Sequence, residues 1–197
     1  KLTRLGYHPF WGIPDGQVYS LDLTHPAVLA WLRRVFQSLC ELGYEYFKID
    51  FLFAGLRRGK RHDPSLSAVE AYRQGLRVIR ETIGERFLLG CGAPLVPSIG
   101  FVDAMRISPD VKEDWRDDLV DLIAHGTGYP SAELALQNCL TRAHLHSKWW
   151  CNDPDCLLVR RDKSSLSLPE VQTLVSVMSL TGGMLLLSDD LRNLPNE

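Results

Sequence analysis

An α/β fold, with parallel strands covered by helices, is what this sequence predicts. The first observation is a regular alternation of apolar strand-like runs and amphipathic helical stretches along the 197 residues. The second is that each strand-like run is followed by polar residues. These are Asp50, then Cys91-Gly92-Ala93-Pro94, Ser108-Pro109-Asp110, Asn152-Asp153-Pro154-Asp155 and Ser188-Asp189-Asp190. The third is that no Gly-rich phosphate loop follows any strand, which removes the main support for a nucleotide-binding doubly wound sheet. Polar residues at the C-terminal ends of successive strands are how a (β/α)8 TIM barrel builds its site, so the barrel is preferred.

The elements follow in order. Thr24 as N-cap and Pro26 in the first turn announce a helix carrying Leu29, Leu32, Val35, Phe36 and Leu39 and stopping at Gly43. The apolar strand 45–53 comes next. Ser67 and Glu70 form a capping box for a helix carrying Val69, Tyr72, Leu76 and Ile79, which ends near Gly84. Short strands are expected at Phe87–Gly90 and Ala104–Ile107, and the connection between them is too short for a full helix. A helix over about 131–146 precedes a strand Lys148–Cys151. Ser167 and Glu170 make a second capping box for a helix to about 180, and Met184–Leu187 is expected as a last buried strand. Five strands are predicted where a barrel needs eight, so about three would lie outside the chain.

Composition narrows the function. Hydrophobic residues make up 45%, enough to fill a core, and the net charge of −2 with interspersed signs does not suggest nucleic-acid or membrane-surface binding. The cluster Arg57-Arg58-Gly59-Lys60-Arg61 reads as a solvated loop, and the acidic stretch 113–121 as a solvated helix face. No apolar run reaches the ~20 residues of a membrane span. There is no signal-peptide pattern either, although a chain that begins with Lys gives that absence little weight. Five cysteines, odd in number and without a CxxC pair, do not form a disulfide framework; a reducing compartment, the cytoplasm, is expected.

Two constellations could carry chemistry. In YFKIDFLFAG, residues 46–55, strand alternation sends Lys48 and Asp50 to one face and Phe47, Ile49 and Phe51 to the other. The two charges read either as residues aimed at a pocket, with the ammonium keeping Asp50 ionised, or as a structural ion pair at a strand end. In MRISPDV, residues 105–111, Arg106 and Asp110 flank a strand end and Pro109 forces the chain out of regular structure. Two carboxylates facing one bond would serve glycoside hydrolysis, whereas Ser-Pro-Asp by itself is an ordinary turn. His144 and His146, two apart on an expected helix, point to different sides and make a poor metal pair; no metal or cofactor is expected. Trp149 and Trp150 would alternate on a strand, one packing on helices and the other free to stack on a sugar ring.

FKIDFLFAG, GCGAPLVPSIGFVDAMRISPDV, WWCNDPDCLLVRR and the closing SDDL resemble, in order and spacing, the catalytic barrel of the retaining α-galactosidases, the melibiases of glycoside hydrolase family 36 in clan D. The resemblance runs from about Tyr19 to Leu191. It implies Asp50 as nucleophile, Asp110 as acid/base, Lys48 and Arg106 as ligands of sugar hydroxyls and Cys91 beside the sugar. It also places Asn152-Asp153-Pro154-Asp155 at the rim of the pocket, and Asp153 and Trp150 are taken as substrate-binding residues. Galactosides or α-galactosyl oligosaccharides are the implied substrates. The family's early tandem-aspartate motif does not precede Lys48, and the pair Asp189-Asp190 comes at the other end.

The expectation is therefore one partial (β/α)8 catalytic domain over residues 1–197, from the approach to strand four through strand eight. The first strands and an N-terminal β-sandwich would be absent from the chain. Such a piece is expected to be molten alone or to complete the barrel with another chain, a homo-oligomer included. Asp50 is expected to have a lowered pKa and Asp110 a raised one, with the carboxyls roughly 5–6 Å apart. An α-N-acetylgalactosaminidase, a galactosyl transglycosylase and a non-catalytic sugar-binding barrel fragment are the alternatives.

Overall fold

The computed structural model describes residues 2–7, 17–116 and 130–194. The chain divides into two compact units, residues 1–103 and 104–197.

The first unit opens with β1 (Leu2–Tyr7) and β2 (Gln17–Leu21), which pair antiparallel with Leu2 opposite Leu21. Nothing in the sequence reading anticipated this pair. Helix α1 (Pro26–Glu41) buries Val28, Leu32 and Phe36, a stripe at steps of four residues, and turns off at Gly43 with φ +89°. Its N-cap is His25, whose Nδ1 accepts from Ala27 N–H, and not Thr24 as expected. Thr24 serves Asp22 instead. Its Oγ1 and N–H both donate to Asp22 Oδ1, while His62 N–H donates to Oδ2 at 2.7 Å. Thr24 Oγ1 in turn accepts Asp63 N–H at 3.0 Å, so this buried cluster pins the loop before the next helix.

Strand β3 (Tyr46–Ile49) runs parallel to β4 (Phe87–Gly90), with Lys48 opposite Leu89. Between them lies α2 (Ala68–Ile83), started by the expected capping box. Ser67 N–H donates to Glu70 Oε2 at 2.8 Å and Glu70 N–H to Ser67 Oγ at 3.2 Å. Helix α2 buries Tyr72, Leu76, Ile79 and Ile83, each worth ~1.5–3 kcal/mol when fully buried. Val69, expected on that face, is exposed because it sits in the first turn ahead of the buried stripe. Arg57–Lys60 form the expected exposed loop. The connection after β4 holds only the one-turn helix α3 (Leu95–Ser98), as its length requires.

In the second unit β5 (Ala104–Arg106) runs parallel to β6 (Cys151–Asp153), with Arg106 opposite Asp153. Helix α4 (Ala132–Arg142) starts at Ser131, whose Oγ accepts Leu134 N–H, and passes into a 3-10 turn at Ala143–Leu145. It therefore stops short of the expected 146. The strand expected at 148–151 begins three residues later, because Ser147 takes φ +59° and turns the chain there. A further strand, β7 (Cys156–Leu157), runs parallel to β8 (Leu186–Leu187). Helix α5 (Leu168–Leu180) begins at the second expected capping box, where Ser167 N–H donates to Glu170 Oε2. Its buried Leu174 and Met178 pack with Leu136 and Cys139 of α4, and with Leu157 and Leu166.

Two expectations about burial and one about a helix fail. Leu185, Leu186 and Leu187 are exposed, so the last strand is not buried. Tyr46, Phe51 and Phe53 are exposed as well, so YFKIDFLFAG is covered on one face only, where Phe47 meets Phe36 with ring centroids 5.7 Å apart. Residues 113–115 form a bend rather than a helix face, and 117–121 lie outside the described residues.

Candidate active site

The end of β3 presents Asp50. Strand alternation buries Phe47 and leaves Lys48 and Asp50 exposed on the opposite face. Among the described residues no ion pair joins Lys48 to Asp50, so the structural ion-pair reading finds no support and the pair is left facing outward. The backbone turns sharply just after. Phe51 lies in the left-handed region at φ 57°, ψ 29°, a strained place for a bulky non-glycine residue, and its N–H donates to Asp50 Oδ1 at 2.6 Å. That bond fixes one carboxylate oxygen against the main chain.

The loop after β4 closes on this turn. Cys91 N–H donates to Ile49 O at 2.8 Å, and Phe53 N–H to Gly92 O at 2.7 Å. Gly92 has φ +50°, and a Cβ on it would meet Asp50 Oδ1 at 3.0 Å and Phe51 N at 3.2 Å. Only glycine fits between the two loops. Cys91 itself is 5% exposed, so its thiol belongs to the core of this unit. An apolar cavity of about 190 Å3 lies beneath Phe51 and Leu52, walled by Leu23, Leu32, Tyr72 and Leu76. It holds no charged group and does not suit a sugar.

In the second unit Asp110 stands on the loop after β5 with its side chain 76% exposed. Arg106, buried at the strand end, faces three carboxylates: Nη1 meets Asp110 Oδ1 at 3.0 Å, Nε meets Asp153 Oδ2 at 3.1 Å and Nη2 meets Asp155 Oδ1 at 2.8 Å. A guanidinium spread over three acids is held rigidly and is largely committed to protein partners. Asp153 is fully buried, and its Oδ1 accepts Asp155 N–H at 2.9 Å. It therefore holds the base of the loop. Asp110 Oδ2 has no protein partner among the described residues.

Trp150 is also interior. It is 4% exposed, its indole N–H donates to Asn152 Oδ1 at 3.1 Å, and its ring meets Trp149 edge-on at 5.5 Å. The two tryptophans lie in the turn before β6, not on a strand, and Trp149 is the exposed one. Asn152 is pinned further by donating to Arg142 O and accepting from Met184 N–H through its carbonyl. His144 lies in the 3-10 turn and His146 just after it. Among the described residues no group of three or more His, Cys, Asp or Glu side chains is arranged to hold a metal ion.

Two contributors escaped the sequence reading. Gly92 was visible only as part of a polar loop, and Asp155 only as a rim residue. The one sequence signal for Asp155 was its place in Asn-Asp-Pro-Asp, where short acids favour turns.

No family model matches the chain. Among solved structures, an α-galactosidase from Thermus thermophilus in complex with stachyose matches all of this chain with 29% identity and a TM-score of 0.83. An α-galactosidase from Thermus thermophilus in complex with p-nitrophenyl α-D-galactopyranoside also matches all of it, with 29% identity and a TM-score of 0.78. α-Galactosidase I from Mortierella vinacea matches 93% of the chain with 15% identity and a TM-score of 0.61, a likeness of fold, and 45% of that enzyme is covered. The clan D resemblance read from the sequence is borne out, with family 36 and family 27 left undivided. This chain is similar over its whole length to the Thermus α-galactosidase and spans 40% of it in the stachyose complex and 38% in the other.

Proposed function

We propose that this chain carries the catalytic carboxylates of a retaining glycoside hydrolase that removes terminal α-D-galactosyl residues by double displacement. Asp50 attacks the anomeric carbon while Asp110 protonates the departing oxygen. The glycosyl–Asp50 ester then forms, and Asp110, now a base, takes a proton from the water that hydrolyses it. Asp50 suits the first role because one oxygen is tied to Phe51 N–H while the carboxylate as a whole stays exposed. Asp110 suits the second because Arg106 holds one oxygen and the other is free of protein partners among the described residues. The chain is proposed to form strands four to eight of a (β/α)8 barrel, to be completed by further residues or a second chain. The observation that carries this reading is the match of all of this chain to 40% of an α-galactosidase, with Asp50 and Asp110 each exposed just beyond the C-terminal end of a parallel strand.

The test is turnover of p-nitrophenyl α-galactoside by the full-length protein. Asp50→Gly is expected to lower kcat by about a thousandfold or more. If neither Asp50→Gly nor Asp110→Gly loses more than about tenfold, the carboxylates are structural and the reading fails.

A further inference from the structure

We propose that Asp155 is a positioning residue for Asp110, holding the loop that carries it from both sides. This rests on the glycosidase reading above. Asp155 lies in the turn between β6 and β7 at φ +82°, a conformation that short acids tolerate better than most residues. Its two carboxylate oxygens go to two different points of the Asp110 loop. Oδ1 meets Arg106 Nη2 at 2.8 Å, and Oδ2 accepts Val111 N–H at 2.8 Å. Arg106 precedes Asp110 by four residues and Val111 follows it directly, so one side chain brackets the acid.

The same turn grips the loop elsewhere. Ile107 N–H donates to Asp153 O at 2.9 Å and Ser108 Oγ to Pro154 O at 2.9 Å. Within the loop, Pro109 has no N–H to give, and among the described residues Asp110 is tied only through Arg106 Nη1. The Asp110 carboxyl thus owes its place to two supports. Arg106 is shared with Asp153 and would survive loss of Asp155, but the Val111 anchor depends on Asp155 alone among the described residues. Asp155 is 15% exposed against 76% for Asp110, so it is the support and Asp110 the working end. An acid displaced by even an ångström loses its reach to the leaving-group oxygen.

The test uses Asp155→Gly and Asp155→Asn in the full-length protein. Glycine accepts the positive φ and deletes both contacts, while asparagine keeps an acceptor for Val111 N–H and loses the charge facing Arg106. Substrates are 2,4-dinitrophenyl α-galactoside, which leaves without an acid, and phenyl α-galactoside, which needs one. For Asp155→Gly, kcat/KM, which reports the step that expels the leaving group, is expected to fall about 30- to 100-fold on the phenyl substrate and less than about threefold on the dinitrophenyl substrate. Asp155→Asn is expected to show the same split at smaller size, which keeps the test open if the glycine variant does not fold. Equal losses of kcat/KM on both substrates, or no loss on the phenyl one, overturn the positioning role while the glycosidase reading stands. No turnover of either substrate by the unmodified protein overturns the glycosidase reading first and this inference with it.

Discussion

Asp50 Oδ1 occupies the space that a side chain on residue 92 would need: a Cβ on Gly92 would stand 3.0 Å from it. The place of Asp50 is therefore set by what the neighbouring loop omits as much as by its own strand. Gly92→Ala should displace Asp50 and also strain a backbone at φ +50°, at ~1–2 kcal/mol. Gly84→Ala is the matched control, because Gly84 has φ +62° but open space around its missing Cβ. Both variants should lower the melting temperature, and only Gly92→Ala should lower kcat, by about tenfold or more. Equal activity in the two variants would remove Gly92 from the site.

The roles of the two carboxylates are separable by stereochemistry. Asp50→Gly supplied with azide should give the β-galactosyl azide, because the small anion enters the face that the nucleophile vacated. Asp110→Gly with azide should give the α-azide, because the glycosyl–Asp50 ester still forms first. Product configuration by proton NMR decides it, and swapped outcomes reverse the assignment.

Asp22 should contribute stability with a particular pH dependence. Burial pushes its carboxyl up, but hydrogen bonds from the Thr24 hydroxyl, Thr24 N–H and His62 N–H, helped by the Arg61 charge, carry it below the ordinary 3.8. A lowered folded-state value stabilises the protein above the unfolded value, and that gain is lost as pH falls through the folded one. Asp22→Ala should cost about 2–4 kcal/mol at pH 7 by stranding its donors. The gap between wild type and variant should narrow below about pH 4, measured by denaturant unfolding. A gap that is constant from pH 7 to 3 would contradict the ionic contribution.

Cys139 should be inert in the folded protein. Burial, and secondarily the charge of Asp153, push its thiol up to about 11, and its residue is 1% exposed. At pH 8 iodoacetamide should modify the partly exposed Cys40 well before Cys139, which should react only on unfolding. Peptide mapping after timed quenching checks this, and early labelling of Cys139 would show that the α4–α5 core opens.

What the sequence determined by itself is local. Both capping boxes span four residues, so Ser67–Glu70 and Ser167–Glu170 could be read without knowing what packs on the helices. The period-two pattern placed Lys48 and Asp50 on one face of β3, and the step-of-four stripe placed Leu32 and Phe36 on one face of α1. Tertiary structure decided the rest, because the deciding forces act between residues far apart in the chain. Asp22 draws His62 N–H across forty residues, which moved the α1 N-cap from Thr24 to His25. Arg106, expected from the resemblance to meet sugar hydroxyls, gives its guanidinium to Asp153 and Asp155, nearly fifty residues on. Strand alternation left open which of Trp149 and Trp150 packs inside, and it is Trp150 whose indole N–H is satisfied there by Asn152. In each case a charge or donor visible in sequence had several partners within its means, and burial, which no single stretch of sequence encodes, selected the one it kept.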